Sequence, residues 1–511
     1  MTSPLSKRAN RYSYIGAIVA LLGIGATIRA WGVLIEPLDL WADEAWWATL
    51  LESRGLGEFG FRPIGYMWVC RQLFDLGDPE VMLRLPSYLA SVGALVFIYK
   101  SAALLYRSRT AVVFVLVLAV FHPFLIVFAK EFKPYSVEVF VFSALTYWAL
   151  RGLRRECAGA GLWTAAAISL PFCYPAVFMY PALALAFAGE QLTVLGRFAR
   201  RHAVIVLLIV IPALFVVNLL LFDLLDAGTS RFFWGNKYGV FPIDVGFLGG
   251  LGWYVRKTWA LMAFPGAIDA IPAYVLFSFA VAYIGGVAAL LNDRRFRELA
   301  LLATPFFVAA MANLLGYWPY GAFRTNLFLL PGGLLLIGVA VDWLAAQRLW
   351  RFVGYAMLIG VLVAISSIDP ATYRTKSMAH WAPAPQLTEV LDDIDRRLGE
   401  TAVAREDIIV ADWHSWRPIS FYLRYYPDLR RRVRLVQGPV NDLSRLEAQI
   451  AIEVERGRRE KQSARLWIVV TRLTPHGAID SSTVVSELAV YRREFATHDP
   501  DYHPILIELR Y

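Results

Sequence analysis

Long apolar runs constrain this chain more than any other feature. They begin at Tyr12 and recur to about residue 367. A helix needs about 20 predominantly apolar residues to cross a bilayer. The candidate spans are 12–35, 83–105, 110–129, 135–150, 162–175, 177–194, 203–225, 271–291, 299–316, 325–344 and 352–367, eleven in all. Pro171, Pro175 and Pro181 interrupt the fifth and sixth. Such prolines are tolerated where neighbouring helices cover the backbone. The first run is longer than the core of a cleaved signal peptide and ends in Arg29, Trp31 and Glu36, so it reads as a retained helix. With 58% hydrophobic and only 18% charged residues, the composition argues against an ordinary soluble enzyme and against a largely disordered chain.

The net charge of +9 suggests either nucleic acid or a basic cytoplasmic side. With the N-terminus placed in the cytoplasm, the short inward segments hold 16 Lys and Arg in 48 positions, and the outward ones hold 10 in 112. Residues 368–511 contain 21 basic and 21 acidic side chains, so the excess lies wholly in the membrane part. The charge is therefore a topology signal, and no nucleic-acid partner is expected. Eleven spans place the C-terminus outside. Cys70, Cys157 and Cys173 form no CxxC or Cys/His pattern and read as small buried hydrophobes.

Composition changes after Ile368. We expect a membrane domain over 1–367, with a helical first outer loop at 36–82, and a soluble α/β domain over 368–511. Within the loop, Ala45–Glu52 and Ile64–Leu76 read as amphipathic interfacial helices. In the tail the pattern predicts helices at Gln386–Leu398, Arg417–Tyr426, Asp442–Val454 and Ser482–Phe495. Strands are predicted at Asp407–Ala411, Val433–Val436, Leu466–Thr471 and Ile505–Leu509. His414 and His476 follow strands but are more simply structural. Asp393-Ile394-Asp395 lies on a helical pattern and reads as a solvated face.

Charge beside a membrane is costly and needs a partner or a task. Asp43 and Glu44 stand among Trp41, Trp46 and Trp47 just after the first span. Lys130, Lys133 and Tyr135 follow the third span, Arg324 precedes the tenth, and Arg84 opens the second. All face outward in this topology. A carboxylate with several cations suits transfer from a phosphate leaving group: the carboxylate takes the acceptor proton and the cations stabilise the departing phosphate. Structural alternatives stand beside each element. The acidic pair would equally cap a helix, the lysines would anchor at the interface, Arg84 would pair with Asp78 or Glu80, and Glu138 would pair with Lys133. His122 reads as a packed histidine. No cluster with metal-ligand spacing is visible.

These segments resemble the membrane glycosyltransferases of the GT-C fold, and more closely the superfamily of protein O-mannosyltransferases and lipid A aminoarabinose transferases. The resemblance rests on Asp43-Glu44 after the first span, Val81–Ser87, Lys130–Ser136 and the aromatic-Gly-Ala-Phe-Arg run ending at Arg324, within about residues 12–345. It implies a polytopic α-helical protein of the inner membrane, with its C-terminal domain in the periplasm. It also implies a polyprenyl-phosphate sugar donor, membrane lipid as surroundings, and a lipid-, glycan- or protein-linked acceptor. By resemblance Asp43 is the base and Glu44 supports substrate placement. Lys130, Lys133, Tyr135 and Arg324 bind the donor phosphate and Arg84 braces the site. Relatives often carry Arg before the Tyr motif, where this chain has Lys133-Pro134-Tyr135. The resemblance implies no required cofactor and leaves a divalent cation open. A transporter or flippase of lipid-linked sugars is the alternative; it would more often show paired halves, which this sequence lacks.

Overall fold

The computed structural model describes residues 4–52, 62–155, 160–187, 246–262, 273–315, 318–320, 324–347, 387–399, 407–411, 413–437, 465–470, 489–494 and 505–510, with a few positions near 352–360 and 452–459. The seventh candidate span lies outside these residues, as do His476 and nearly all of the eleventh span and of the helix expected at Asp442–Val454. The described chain is mostly helical. Among its residues four helices are long and apolar enough to cross a membrane, or five if one bent pair counts as a single span.

The chain divides into two compact units. The first comprises Met1–Ala30, Phe59–Leu73 and Arg84–Pro370. Its described helices are α1 (Pro4–Ala30), α3 (Ile64–Phe74), α5 (Leu85–Leu105), α6 (Arg109–Phe121), α7 (Pro123–Val127), α8 (Tyr135–Arg154), α9 (Ala160–Ser169), α10 (Met179–Ala186), α11 (Gly246–Met262), α12 (Ala273–Asn292), α13 (Phe296–Leu314) and α14 (Leu330–Ala346). Helix α3 runs one residue past the unit boundary.

The bundle core is α5 against α8 and α12 against α14. An added Cβ at Gly286 would run into the Leu336 carbonyl, so glycine permits the α12–α14 approach. Helix α6 opens on Ser108, whose side chain accepts from the Thr110 N–H at 3.2 Å. Asp342 of α14 accepts from the Arg107 and Ser108 N–H groups at 3.0 and 2.6 Å, meeting donors that the first turn leaves unsatisfied. Pro123 ends α6, and the chain bends by 56° into the next helical segment.

Arg29 ends the first helix fully buried. It donates to Ser91 Oγ of α5 at 2.9 Å and to the Ala119 and Val120 carbonyls of α6 at 3.0 Å. A cation at a helix C-terminus is favoured by the helix dipole and by the unpaired carbonyls there. The helix stops at Ala30, five residues before the end of the expected span. Gly32 takes φ 79°, and its N–H donates to the Ile35 carbonyl at 2.7 Å. That turn leaves the helical path.

The second unit comprises Trp31–Glu58, Phe74–Leu83 and Ala371–Tyr511. It joins most of the first outer loop to the C-terminal region, a division that composition does not mark. It holds α2 (Ala42–Leu51), α4 (Pro79–Met82), α15 (Leu387–Gly399), α16 (Trp413–Tyr422) and α17 (Pro427–Arg432). A sheet of β1 (Asp407–Ala411), β2 (Val433–Gln437), β3 (Arg465–Val470), β4 (Ala489–Glu494) and β5 (Ile505–Arg510) runs in the order β2-β1-β3-β5-β4. β1 is parallel to β2 and β3, whereas β5 is antiparallel to β3 and β4.

Two sequence expectations fail here. The stretch Ser482–Phe495 was expected to be helical, yet its described part is β4, paired antiparallel with β5. Strand formation depends on cross-strand pairing more than on local propensity. Asp393 is buried rather than on a solvated face; it pairs with Arg397 at 3.2 Å and Arg396 at 3.3 Å on its own helix.

Candidate active site

The acidic pair opens α2 in the second unit. Trp41 is extended (φ −80°, ψ 171°) and the helix begins at the next residue. Glu44, at the third helical position, is fully buried, and its Oε2 accepts from the Trp41 N–H at 3.2 Å. That is the reciprocal half of a capping box. Glu44 thus has the capping role set out above as the structural alternative. Asp43 is half-buried and lies in the field of Arg417 on α16. The Arg417 guanidinium sits 4.3 Å from the centre of the Trp46 ring, within cation–π range. Desolvation lowers the pKa of Arg417, and the Asp43 charge opposes that shift.

Just before the pair, Asp39 accepts from the Thr388 N–H at 2.9 Å and the Thr388 hydroxyl at 3.1 Å. Burial pushes the Asp39 carboxyl up to about 6, against the pull of those hydrogen bonds. The Leu40 N–H donates to the Tyr422 hydroxyl at 2.7 Å. Burial and the charges of Asp39 and Glu80 hold the Tyr422 pKa well above its usual range, so the phenol stays neutral. Arg424 lies 3.5 Å from the centre of the Phe421 ring and pairs with Glu52. The segment carrying the acidic pair is therefore fixed at several points by residues 388–424.

The expected cations lie in the first unit. Arg84 and Lys130 are fully buried and Lys133 is 3% exposed. Lys130 ends a short 3-10 turn, Phe128–Lys130. Pro134 then disfavours a helical Lys133, and α8 starts at Tyr135. Ser87, one turn into α5 from Arg84, donates to the Lys133 carbonyl at 2.7 Å, and the Tyr66 hydroxyl lies 3.1 Å from Ser87 Oγ. Arg84, Lys130 and Lys133 thus share one corner of the bundle. Tyr135 packs edge-on against Phe128 at 5.2 Å.

Arg324 opens a 3-10 segment, Arg324–Leu329, along α8. Asn326 anchors that segment through the Tyr320 carbonyl at 2.8 Å and the Trp318 indole at 3.0 Å. Glu138 is 6% exposed and its Oε2 has no hydrogen-bond partner among the described residues; the expected pairing with Lys133 is not found there. Cys70 and Cys173 are buried and unbridged.

Sequence reasoning missed Arg417, Thr388 and Tyr422. No local signal marks them, because their partners lie more than 340 positions away. It also missed Arg62, 3% exposed, whose carbonyl accepts from the Tyr174 hydroxyl at 2.9 Å. Among the described residues no group of three or more His, Cys, Asp or Glu is placed to hold a metal ion.

Comparison with curated protein sequences finds no match. Among solved structures, the chain is similar to ArnT from Cupriavidus metallidurans, both bound to undecaprenyl phosphate and in the apo state. In each case identity is 14% over 98% of both chains, with a TM-score of 0.38. Residues 62–219 match the dolichyl-phosphate-mannose-protein mannosyltransferase family. The matched stretch contains Arg84, Lys130, Lys133 and Tyr135, and it ends before Arg324. The match covers 158 of the 511 residues.

Proposed function

We propose that the protein is an inverting glycosyltransferase. It moves a sugar from a polyprenyl-phosphate donor to a hydroxyl of an envelope lipid, glycan or protein on the outer face of the inner membrane. The observation that carries this reading is the burial of four cations, Arg62, Arg84, Lys130 and Lys133, all within the family-matched stretch. The family's name specifies a polyprenyl-type phosphate donor, and buried cations suit a phosphate leaving group. Asp43 is the base: it takes the proton of the acceptor hydroxyl while that oxygen attacks the anomeric carbon. The bond to phosphate breaks and polyprenyl phosphate leaves with the electron pair. One displacement inverts the anomeric centre. Lys130, Lys133, Tyr135 and Arg324 receive the phosphate and Arg84 braces them. Glu44 holds the start of α2, and so the position of Asp43.

The test is transfer of radiolabelled sugar from a synthetic polyprenyl-phosphate sugar by purified full-length protein. Asp43→Asn is expected to lower the rate by at least about 100-fold, the lower range for losing a general base. Near-normal transfer by that variant overturns the base assignment. Movement of intact lipid-linked sugar across vesicles, without transfer, would favour a flippase.

A further inference from the structure

The C-terminal end of α5 carries a second basic site. A cavity of about 380 Å³ opens there, lined by Arg107, Arg154, Arg295, Arg297 and a single acid, Glu298, together with four leucines of α5 and α8. Helix α5 has 21 residues, so this end lies about 30 Å along the helix from Arg84, at 1.5 Å per residue. The cavity is therefore separate from the corner that holds Lys130 and Lys133.

Two of the arginines are fixed in place. Arg154 donates to the Leu104 carbonyl. Arg295 donates to the Leu105 carbonyl at 3.2 Å and to Glu298 at 3.0 Å. Capping the helix end accounts for part of their charge. Four guanidiniums line the cavity against a single lining carboxylate. Two acids beside the cavity, Asp342 and Asp293, bring the local balance to four guanidiniums against three carboxylates. Asp342 is engaged by the Arg107 and Ser108 N–H groups, and Asp293 lies 3.9 Å from an Arg107 side chain that is 80% exposed. Guanidinium groups favour phosphate oxygens. Basic pockets at the ends of membrane helices suit lipid headgroups, and the leucines offer an apolar wall beside the charge.

We propose that this cavity binds a phosphate group, carried either by an anionic membrane lipid or by free phosphate. The proposal does not depend on the glycosyltransferase reading. The test uses full-length protein in nanodiscs and in detergent, with phosphatidylglycerol, phosphatidylcholine and inorganic phosphate as probes, read by native mass spectrometry. Phosphatidylglycerol is expected to be retained over phosphatidylcholine. Arg107→Gln is expected to weaken retention about tenfold. Leu153→Trp, which fills the cavity without changing charge, is expected to weaken it similarly. Melting temperature reports the fold of both variants. Displacement by millimolar inorganic phosphate assigns free phosphate as the occupant, and resistance assigns the lipid; both outcomes support the site. Equal retention of the two lipids with no inorganic phosphate bound, or unchanged retention in two folded variants, overturns it.

Discussion

The two units handle buried charge in opposite ways. In the first, the described buried charges are mainly cations: Arg29, Arg62, Arg84, Lys130 and Lys133, with Glu131, Glu138 and Asp342. In the second, the groups around α2 are carboxylates, Asp39, Asp43 and Glu44. They are held by backbone N–H groups, a threonine hydroxyl and the field of Arg417. A buried charge is retained only where hydrogen bonds or a partner offset its desolvation. The first unit therefore buries cations in excess of acids, and the second surrounds α2 with carboxylates. Phosphoryl-sugar chemistry needs both signs, a cationic receptor for the leaving group and an anionic proton acceptor.

The sharpest way to break this comparison is to remove one cation. Lys130→Met keeps the volume and apolar stem and deletes the charge. Replacing a buried charge with a hydrophobic residue of similar size is often neutral or stabilising when the whole charge cluster goes, and costly when a partner is stranded. If Lys130 serves the phosphate, transfer falls about 100-fold or more, equivalent to about 2.7 kcal/mol at 1.36 kcal/mol per tenfold. The melting temperature of the donor-free protein reports separately what loss of the charge costs the fold. A variant that transfers within threefold of the parent makes Lys130 a structural cation. Parallel assays of transfer and thermal unfolding give the answer.

A smaller effect sharpens the other side. Asp39 binds its proton more tightly when folded, at about 6, than at the ordinary 3.8. The folded form thus holds an extra proton between those values, and stability falls as pH rises from about 4 to about 6. The ceiling is about 3 kcal/mol at 1.36 kcal/mol per pH unit. Because Asp39 is partly exposed, we expect roughly half of it, about 1.5 kcal/mol. Asp39→Asn keeps an acceptor for Thr388 and removes the titration. Unfolding followed from pH 4 to 7 should show that the variant lacks this slope. Identical slopes in both proteins would remove the charge argument for this corner.

These features differ in how far the sequence reveals them. The run 83–105 becomes Leu85–Leu105, 135–150 becomes Tyr135–Arg154, and the expected strand Asp407–Ala411 is β1 over the same residues. Apolar length and local periodicity suffice for such elements. Arg84, Lys130 and Lys133 stand at span ends in the sequence, but their burial shows only in the packed structure. By contrast, Asp39 with Thr388 and Leu40 with Tyr422 join residues 349 and 382 positions apart. Nothing local encodes those pairs. β4 was misread for the same reason, because its partner β5 decides its state. Arg29 looked like a span-end charge. Its carbonyl partners on α6 became visible only once the helices were packed.

Arg417 offers the smallest effect and the finest test. It reaches Trp46 and Asp43 from α16, so it links the C-terminal region to the acidic pair within one unit. It has no expected contact with donor or acceptor in our reading, and is a positioning residue. Cation–π contacts of this exposure are worth about 0.5–1 kcal/mol. Arg417→Gln should therefore lower kcat about three- to fivefold, the equivalent of about 0.6–1 kcal/mol. KM for the donor should stay unchanged. A merely structural role would instead lower the melting temperature and leave kcat per folded molecule intact. Arg417→Lys separates the two parts of the interaction. Lysine keeps the point charge but loses the planar stack on Trp46. Recovery of kcat in Arg417→Lys assigns the effect to charge beside Asp43. Failure to recover assigns it to the Trp46 stack, which then fixes the pitch of α2 and the aim of its carboxylate. An unchanged kcat in Arg417→Gln would mean that the second unit holds its acidic pair by the Glu44, Asp39 and Leu40 contacts alone.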